Sequence, residues 1–246
     1  MKNRKKSPGS IVLDLLYPRR CPICDRPVQP FGSLVCESCG EQMSEKRLTE
    51  RDILCCQCGK VMRESRQELC RDCREGLHVY RRGCAAYRYR DISGAIYRLK
   101  YEGRAEYAEW MGEEMTRRLL QEFALEEIDA FVPVPVSRQR MRKRGYNQAS
   151  LLAQAMSRRV GIPVQEEWLV RRTDTAAMRS MGADERRNNL KKAFTAPSDD
   201  VESKVIMLVD DIYTTGSTVD ACAAALLGAG AAEVNFISLA IGEDQT

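Results

Sequence analysis

Residues 205–218 read Val-Ile-Met-Leu-Val-Asp-Asp-Ile-Tyr-Thr-Thr-Gly-Ser-Thr, and along this run the chemistry turns from apolar to acidic to anion-binding. Five successive apolar residues suit a strand buried on both faces of a parallel sheet. Ligands of such sheets sit in the crevice beyond the carboxyl ends of the strands, which is where Asp210 and Asp211 stand. Thr214, Thr215, Gly216, Ser217 and Thr218 then supply a glycine that lets backbone N–H groups converge, hydroxyls that donate, and a following helix over 219–227 whose N-terminus favours anions. Two carboxylates repel a second phosphate but accept hydrogen bonds from vicinal hydroxyls, so a ribose 5-phosphate satisfies both halves. Two other readings use the same residues. One is the magnesium-binding half of a nucleotidase, whose Gly-x-x-x-x-Gly-Lys-Ser/Thr partner is missing here. The other is a capped strand-to-helix junction that binds nothing.

Cysteine usage shifts sharply along the chain, with nine of eleven before residue 74. Cys21-x-x-Cys24 is followed after eleven residues by Cys36-x-x-Cys39, and the arrangement recurs 34 residues later as Cys55-x-x-Cys58 with Cys70-x-x-Cys73. Each pair aims two sulfurs at one ion, and the spacer brings a second pair across to complete a tetrahedron. Two zinc ions are the expected occupants, in sequential sets, although cross-bracing and an iron–sulfur cluster use the same thiolates. Disulfides are the remaining alternative and call for an oxidising compartment. Cys56 sits beside Cys55, but only Cys55 keeps the two-residue spacing. Cys84 and Cys222 read as buried small hydrophobes, and His78, the one histidine, reads as a surface residue at the end of the module.

These shifts divide the 246 residues into a cysteine module over 1–78 with an N-terminal lead-in helix and an α/β domain over 79–246. No run of 18 apolar residues exists, so no membrane insertion is expected, and Asp14 interrupts a stretch too short for a signal peptide. A cytoplasmic location follows from that reading. The net charge of +4 is small, but cations gather at Lys2, Arg4, Lys5, Lys6, Arg19 and Arg20, and again at Arg138, Arg140, Arg142, Lys143 and Arg144.

Past His78, alternation marks a strand over 83–90, and Ile92, Ala95, Ile96 and Leu99 recur at helical spacing. A second helix over 105–121 carries Tyr107, Trp110, Met111, Met115 and Leu119 toward a core. A strand over 128–136 exits through prolines into the basic loop 137–144, which leads to a helix ending near Gly161. Short strands at 169–170 and 204–209 flank a polar, arginine-rich stretch, 173–189, with the profile of a mobile lid. With a last strand over 232–241, the order predicts a parallel sheet flanked by helices.

The apolar run, two acids, two variable residues and Thr-Thr-Gly-x-Thr-like turn resemble the signature of type I phosphoribosyltransferases. The resemblance implies that Asp210 and Asp211 hold the ribose hydroxyls of phosphoribosyl pyrophosphate (PRPP), and that residues 214–218 wrap its 5-phosphate. It also assigns the loop after the second strand to pyrophosphate, with Arg138 and Arg144 as candidates, and the lid to closure over the sugar. Magnesium would bind PRPP oxygens and waters more than protein groups.

From about residue 11 onward the ordered set is more specific still. It comprises Leu-Leu-Tyr-Pro-Arg-Arg-Cys-Pro-Ile-Cys, the paired cysteine sets, Val-Pro-Val-Pro, Arg-Gly-Tyr-Asn-Gln, Glu185 to Leu190 with Ala193-Phe194, and the PRPP signature. The chain is similar to the ComF/ComFC family. That likeness implies a cytoplasmic zinc protein of natural transformation, handling incoming single-stranded DNA beside a competence helicase. Met178 stands where the family usually carries Gln. Two functions from different classes follow: a DNA-uptake factor with PRPP as ligand, or an enzyme moving phosphoribosyl to a nitrogen acceptor.

Overall fold

The computed structural model describes residues 18–30, 32–63, 67–76, 78–172 and 193–243. In chain order these form helices α1 (Glu37–Glu45) and α2 (Arg71–Glu75), strand β1 (Gly83–Arg88), helices α3 (Tyr89–Tyr101) and α4 (Ala108–Glu122), strand β2 (Ala130–Pro133), and helices α5 (Arg138–Arg144) and α6 (Gln148–Val160). Strands β3 (Val170–Arg171), β4 (Phe194–Thr195) and β5 (Val205–Tyr213), helix α7 (Ser217–Gly228) and strand β6 (Glu233–Ile241) complete them. The main sheet is parallel throughout, in the order β1-β6-β5-β2. The lead-in helix and the lid, with Met178, fall outside the described residues. Among the described residues no helix is long and apolar enough to cross a membrane.

Strands buried on both faces need cover on both. The 3.6-residue spacing of Ile92, Ile96 and Leu99 on α3, and of Met111, Met115 and Leu119 on α4, turns apolar stripes onto Met207, Val209 and Ile237, with Leu152 and Met156 of α6 alongside. Helices α4 and α6 approach closely, because a Cβ at Gly112 would lie 2.4 Å from that of Ala155. On the opposite face Val219, Cys222 and Leu226 of α7 cover Ile206, Leu208 and Phe236. Each such buried aliphatic side chain stabilises by roughly 1.5–3 kcal/mol.

The cysteine-rich half is divided between these faces. Met62, Tyr80 and the four cysteines Cys55, Cys58, Cys70 and Cys73 join the α7 side of the core, where they complete the layer that helices usually supply. The first unit sits on the other face. There Arg98 Nη2 donates to the carbonyls of Pro22 at 2.9 Å and Ile23 at 2.7 Å, and the Tyr107 hydroxyl donates to Asp25. Between the units the chain runs along the outer edge of β1: Leu48 N–H donates to the Ala86 carbonyl at 2.9 Å, and Arg47 bridges Tyr87 in antiparallel fashion. Arg47 also grips the buried Glu114 carboxylate through Nε at 2.5 Å and Nη2 at 2.8 Å, and Tyr87 donates its hydroxyl to the same group at 2.6 Å.

Three elements differ from the sequence expectation. The basic stretch expected as a loop is helix α5, started by Ser137, whose Oγ accepts from Arg140 N–H at 3.3 Å, and stopped by Gly145 at φ 80°. Serine before and glycine after are helix signals in themselves, but the prolines ending the preceding strand were read as its exit into a loop. Strand β5 continues through the acidic pair to Tyr213, because its ladder with β6 persists to Tyr213 opposite Ile241. Finally, β3 and β4 form a separate antiparallel pair, Val170 with Thr195 and Arg171 with Phe194.

Candidate functional site

The carboxyl edge of β5 gathers the acidic pair. Asp211 is buried and ion-paired to Lys100, which α3 carries in from its last turn. Asp210 accepts the Asp211 backbone N–H at 2.8 Å. Burial pushes the Asp210 carboxyl well above the usual carboxylate range, the neighbouring charge of Asp211 adds to the rise, and Lys100 opposes it. A carboxyl raised in this way can donate as well as accept, as sugar hydroxyls require. Lys100 was not singled out in the sequence. Its signal was its place in a helix whose apolar stripe fixes that helix against the sheet.

Beyond Tyr213 the chain turns through Thr214, Thr215 and Gly216 into α7, with Ser217 and Thr218 in the first helical turn. Gly216 adopts φ 81°, and a Cβ there would stand 2.6 Å from the Tyr213 hydroxyl and 2.8 Å from His78 Cε1. Only glycine fits that position without strain. Its side chain absent, the backbone amides at the start of a 12-residue helix face outward. Thr215 Oγ1 and Ser217 Oγ lie 3.0 Å apart across the turn.

What lies beneath the turn corrects the expectation for His78. Its side chain is only 5% exposed, its Nδ1 lies 2.5 Å from Asp220 Oδ2 in α7, and its ring stacks on Tyr80 with centroids 4.9 Å apart. Asp220 also accepts the backbone N–H of Val79 at 3.1 Å. A lone histidine among charged neighbours gave no hint of a partner 142 positions away. Tyr80 and Tyr213 share a hydrogen bond of 2.6 Å, and buried Lys60, paired with Asp72, lies 5.9 Å above the Tyr213 ring. The anion turn therefore rests on residues of the second cysteine unit and the segment that follows it.

The arginine candidates stand on α5, which follows β2 and so starts from the same edge: Val134 N–H donates to the Val209 carbonyl at 2.9 Å. Arg138 opens the helix and is exposed. Arg144 closes it, bonded to Gln148 Oε1 at 2.6 Å with its guanidinium 5.1 Å from the centre of the Tyr101 ring. Both stand on the helix that follows β2, one at each end of it.

Both cysteine sets assemble sequentially. Cys21, Cys24, Cys36 and Cys39 form one cluster and Cys55, Cys58, Cys70 and Cys73 another, and within each all sulfurs lie within 4.8 Å of one another. A tetrahedral zinc with bonds of about 2.3 Å separates its thiolates by about 3.8 Å, so both sets fit that ion. The repeat is structural too. In each unit a hairpin turns just after the second cysteine, where Asp25 and Gly59 take positive φ, and the next cysteine, Cys36 or Cys70, caps a helix N-terminus. Cys56 is exposed outside the cluster, while Cys84 and Cys222 are buried, as expected. Zinc held there would tie each hairpin to its helix.

A helix-flanked parallel sheet with an acidic pair near the end of one strand and a glycine turn after it, joined to two four-cysteine units, defines a zinc-ribbon protein with an α/β domain. Residues 12–74 match the family described as double zinc ribbon domain. The chain belongs to the ComF family: DNA utilization protein YhgH of Escherichia coli strain K12 is 32% identical over 225 residues, which is 89% of this chain and 96% of that protein. Competence protein F of Haemophilus influenzae is 38% identical over 114 residues, covering 46% of this chain and 50% of its own. Competence protein ComFC of Bacillus subtilis is 29% identical over 214 residues, 83% of each. Among solved structures, the B. subtilis glutamine PRPP amidotransferase complexed with ADP and GMP aligns at a TM-score of 0.40 and 21% identity, over 57% of this chain and 30% of that one.

Proposed function

We propose that this chain is a DNA-uptake factor of natural transformation that binds PRPP at the carboxyl edge of β5 and single-stranded DNA on its basic surface. The observation that carries the reading is the placement of Asp210, Asp211 and the Gly216 turn on one continuous strand-to-helix unit. Asp210 and Asp211 take the ribose hydroxyls, and the amides and hydroxyls of Thr214, Thr215, Gly216, Ser217 and Thr218 take the 5-phosphate. Arg138 and Arg144 meet the pyrophosphate, with magnesium bridging its oxygens and waters. The two cysteine clusters hold zinc. The names of the relatives, competence proteins and a DNA utilization protein, support the DNA role. A cytoplasmic place beside a competence helicase is part of the same proposal.

Calorimetry with PRPP and magnesium tests the sugar site. Binding by the wild type and none by Asp210→Asn/Asp211→Asn, with DNA affinity retained, is the expected result; no binding by the wild type overturns the reading. A second reading, transfer of phosphoribosyl to a nitrogen acceptor, draws on the completeness of the acidic pair and turn. Pyrophosphate release, measured with and without single-stranded DNA, separates the two.

A further inference from the structure

On the outer side of α3, Tyr97 and Tyr101 are 56% and 54% exposed, with ring centroids 5.0 Å apart. Large aromatic rings left in water next to one another are unusual on a soluble surface. Their spacing of four residues stacks them on one helical face. The same face meets α5. Tyr146, just past that helix, donates its hydroxyl to the Leu99 carbonyl at 2.5 Å, and the Arg144 guanidinium lies over the Tyr101 ring.

Arg140 is four residues from Arg144, so the face of α5 that bears on Tyr101 carries a further cation, and Lys143 flanks that face. None of Arg140, Arg142 and Lys143 has an acidic partner among the described residues, and residues 130–165 contain no Asp or Glu. A row of cations without acids, beside two open aromatic rings, combines the two features that recognise a single-stranded polynucleotide: phosphate neutralisation and sequence-tolerant base stacking. Duplex offers the first contact but keeps its bases stacked on each other.

We infer that Tyr97 and Tyr101 of α3, with Arg140 and Lys143 of α5, form the platform on which single-stranded DNA lies. The inference rests on the reading of the chain as a DNA-handling protein and locates the contact away from the cysteine units. Lys100, three residues past Tyr97, reaches Asp211, so the platform and the acidic pair are neighbours on one helical turn.

The test is fluorescence anisotropy of a labelled oligodeoxythymidine about 20 nucleotides long, titrated across salt. Tyr97→Ala/Tyr101→Ala is expected to weaken binding roughly 10- to 100-fold with the salt slope unchanged. Tyr97→Phe/Tyr101→Phe keeps the affinity, because phenylalanine stacks as well. Arg140→Ala/Lys143→Ala flattens the slope of log K against log salt by about 1.4. Melting temperature and zinc content, unchanged in all three, report the fold. Alanine variants that bind like wild type, phenylalanine variants that fail like alanine, or blunt duplex bound as tightly as single strand overturn the platform while the DNA reading stands. Oligouridine bound more tightly than oligodeoxythymidine overturns the assignment to DNA. No binding by the wild type overturns the platform and the DNA reading together, and PRPP calorimetry then judges the sugar site alone.

Discussion

His78 Nδ1 meets Asp220 Oδ2 at 2.5 Å, joining the segment that leaves the second cysteine unit to the helix that opens at the anion turn. Removing the imidazole leaves Asp220 with only the Val79 amide and withdraws support from below Gly216. A hydrogen bond to a charged group contributes about 1.5–3 kcal/mol, so His78→Ala is expected to lower PRPP affinity on the order of ten-fold or more. Calorimetry reads the loss, and His78→Asn, which restores a donor, recovers part of it.

The two metal clusters differ in what depends on them. Cys70→Ser/Cys73→Ser dismantles the unit that shares a core with Tyr213 and is expected to abolish PRPP binding. Cys36→Ser/Cys39→Ser disturbs the unit on the other face and leaves that binding measurable. Structural zinc supplies about 10–16 kcal/mol in small peptides, so each unit should unravel when its own ion is lost. Zinc content by mass spectrometry, falling from two to one in either variant, verifies the loss before affinity is compared.

Gly216→Ala places a methyl group against Tyr213 and His78 at a backbone angle that L residues avoid. Strain of about 1–3 kcal/mol is expected, seen as a lower melting temperature. Affinity for PRPP and for ribose 5-phosphate should fall together, since both present the phosphate to this turn.

Asp210 supplies a pH signature. An aspartate whose folded pKa is raised holds more protons folded than unfolded, so its contribution to stability is fully present below the unfolded value near 3.9 and is lost as pH rises through the folded value. Asp210→Asn keeps an acceptor for the Asp211 amide and removes that loss. Its melting temperature at neutral pH should exceed that of wild type by about 2–4 °C, and the difference should vanish in acid. Function would fall while stability rises.

Glu114 is 3% exposed and accepts from both Arg47 and Tyr87 where the chain passes the edge of β1. Glu114→Ala strands the guanidinium beside the core, a change that costs about 3–5 kcal/mol. Denaturant unfolding measures it. Double replacement with Arg47→Met should recover much of the loss, because no unpaired charge then remains.

Local chemistry was the part of this molecule most readable in its sequence. The apolar run before Asp210, the repeated cysteine spacing and the helical stripes of α3 and α4 each write their structure within a few residues. Helix α5 was misjudged because the prolines before it were read as opening a loop, while its caps, Ser137 and Gly145, went unread. Lys100 against Asp211, and His78 against Asp220, were illegible for a different reason. Each joins residues more than a hundred positions apart, and no periodicity encodes which distant side chain will arrive. The same holds for the tyrosine pair: helical spacing puts Tyr97 beside Tyr101, but only the packed neighbours show that both rings stay more than half exposed.

Tyr80 and Tyr213 are 133 positions apart, and this separation sets an order of assembly. As the polypeptide emerges from the ribosome, the second ribbon is complete long before β5, the strand it leans on. Its apolar side must wait until the late strand arrives beside β2 and β6 follows it. Such distant closures are slow. A nascent chain halted before residue 205 would therefore carry two finished metal knots and no ligand site, and the capacity to bind sugar would arrive abruptly with the last sixth of synthesis.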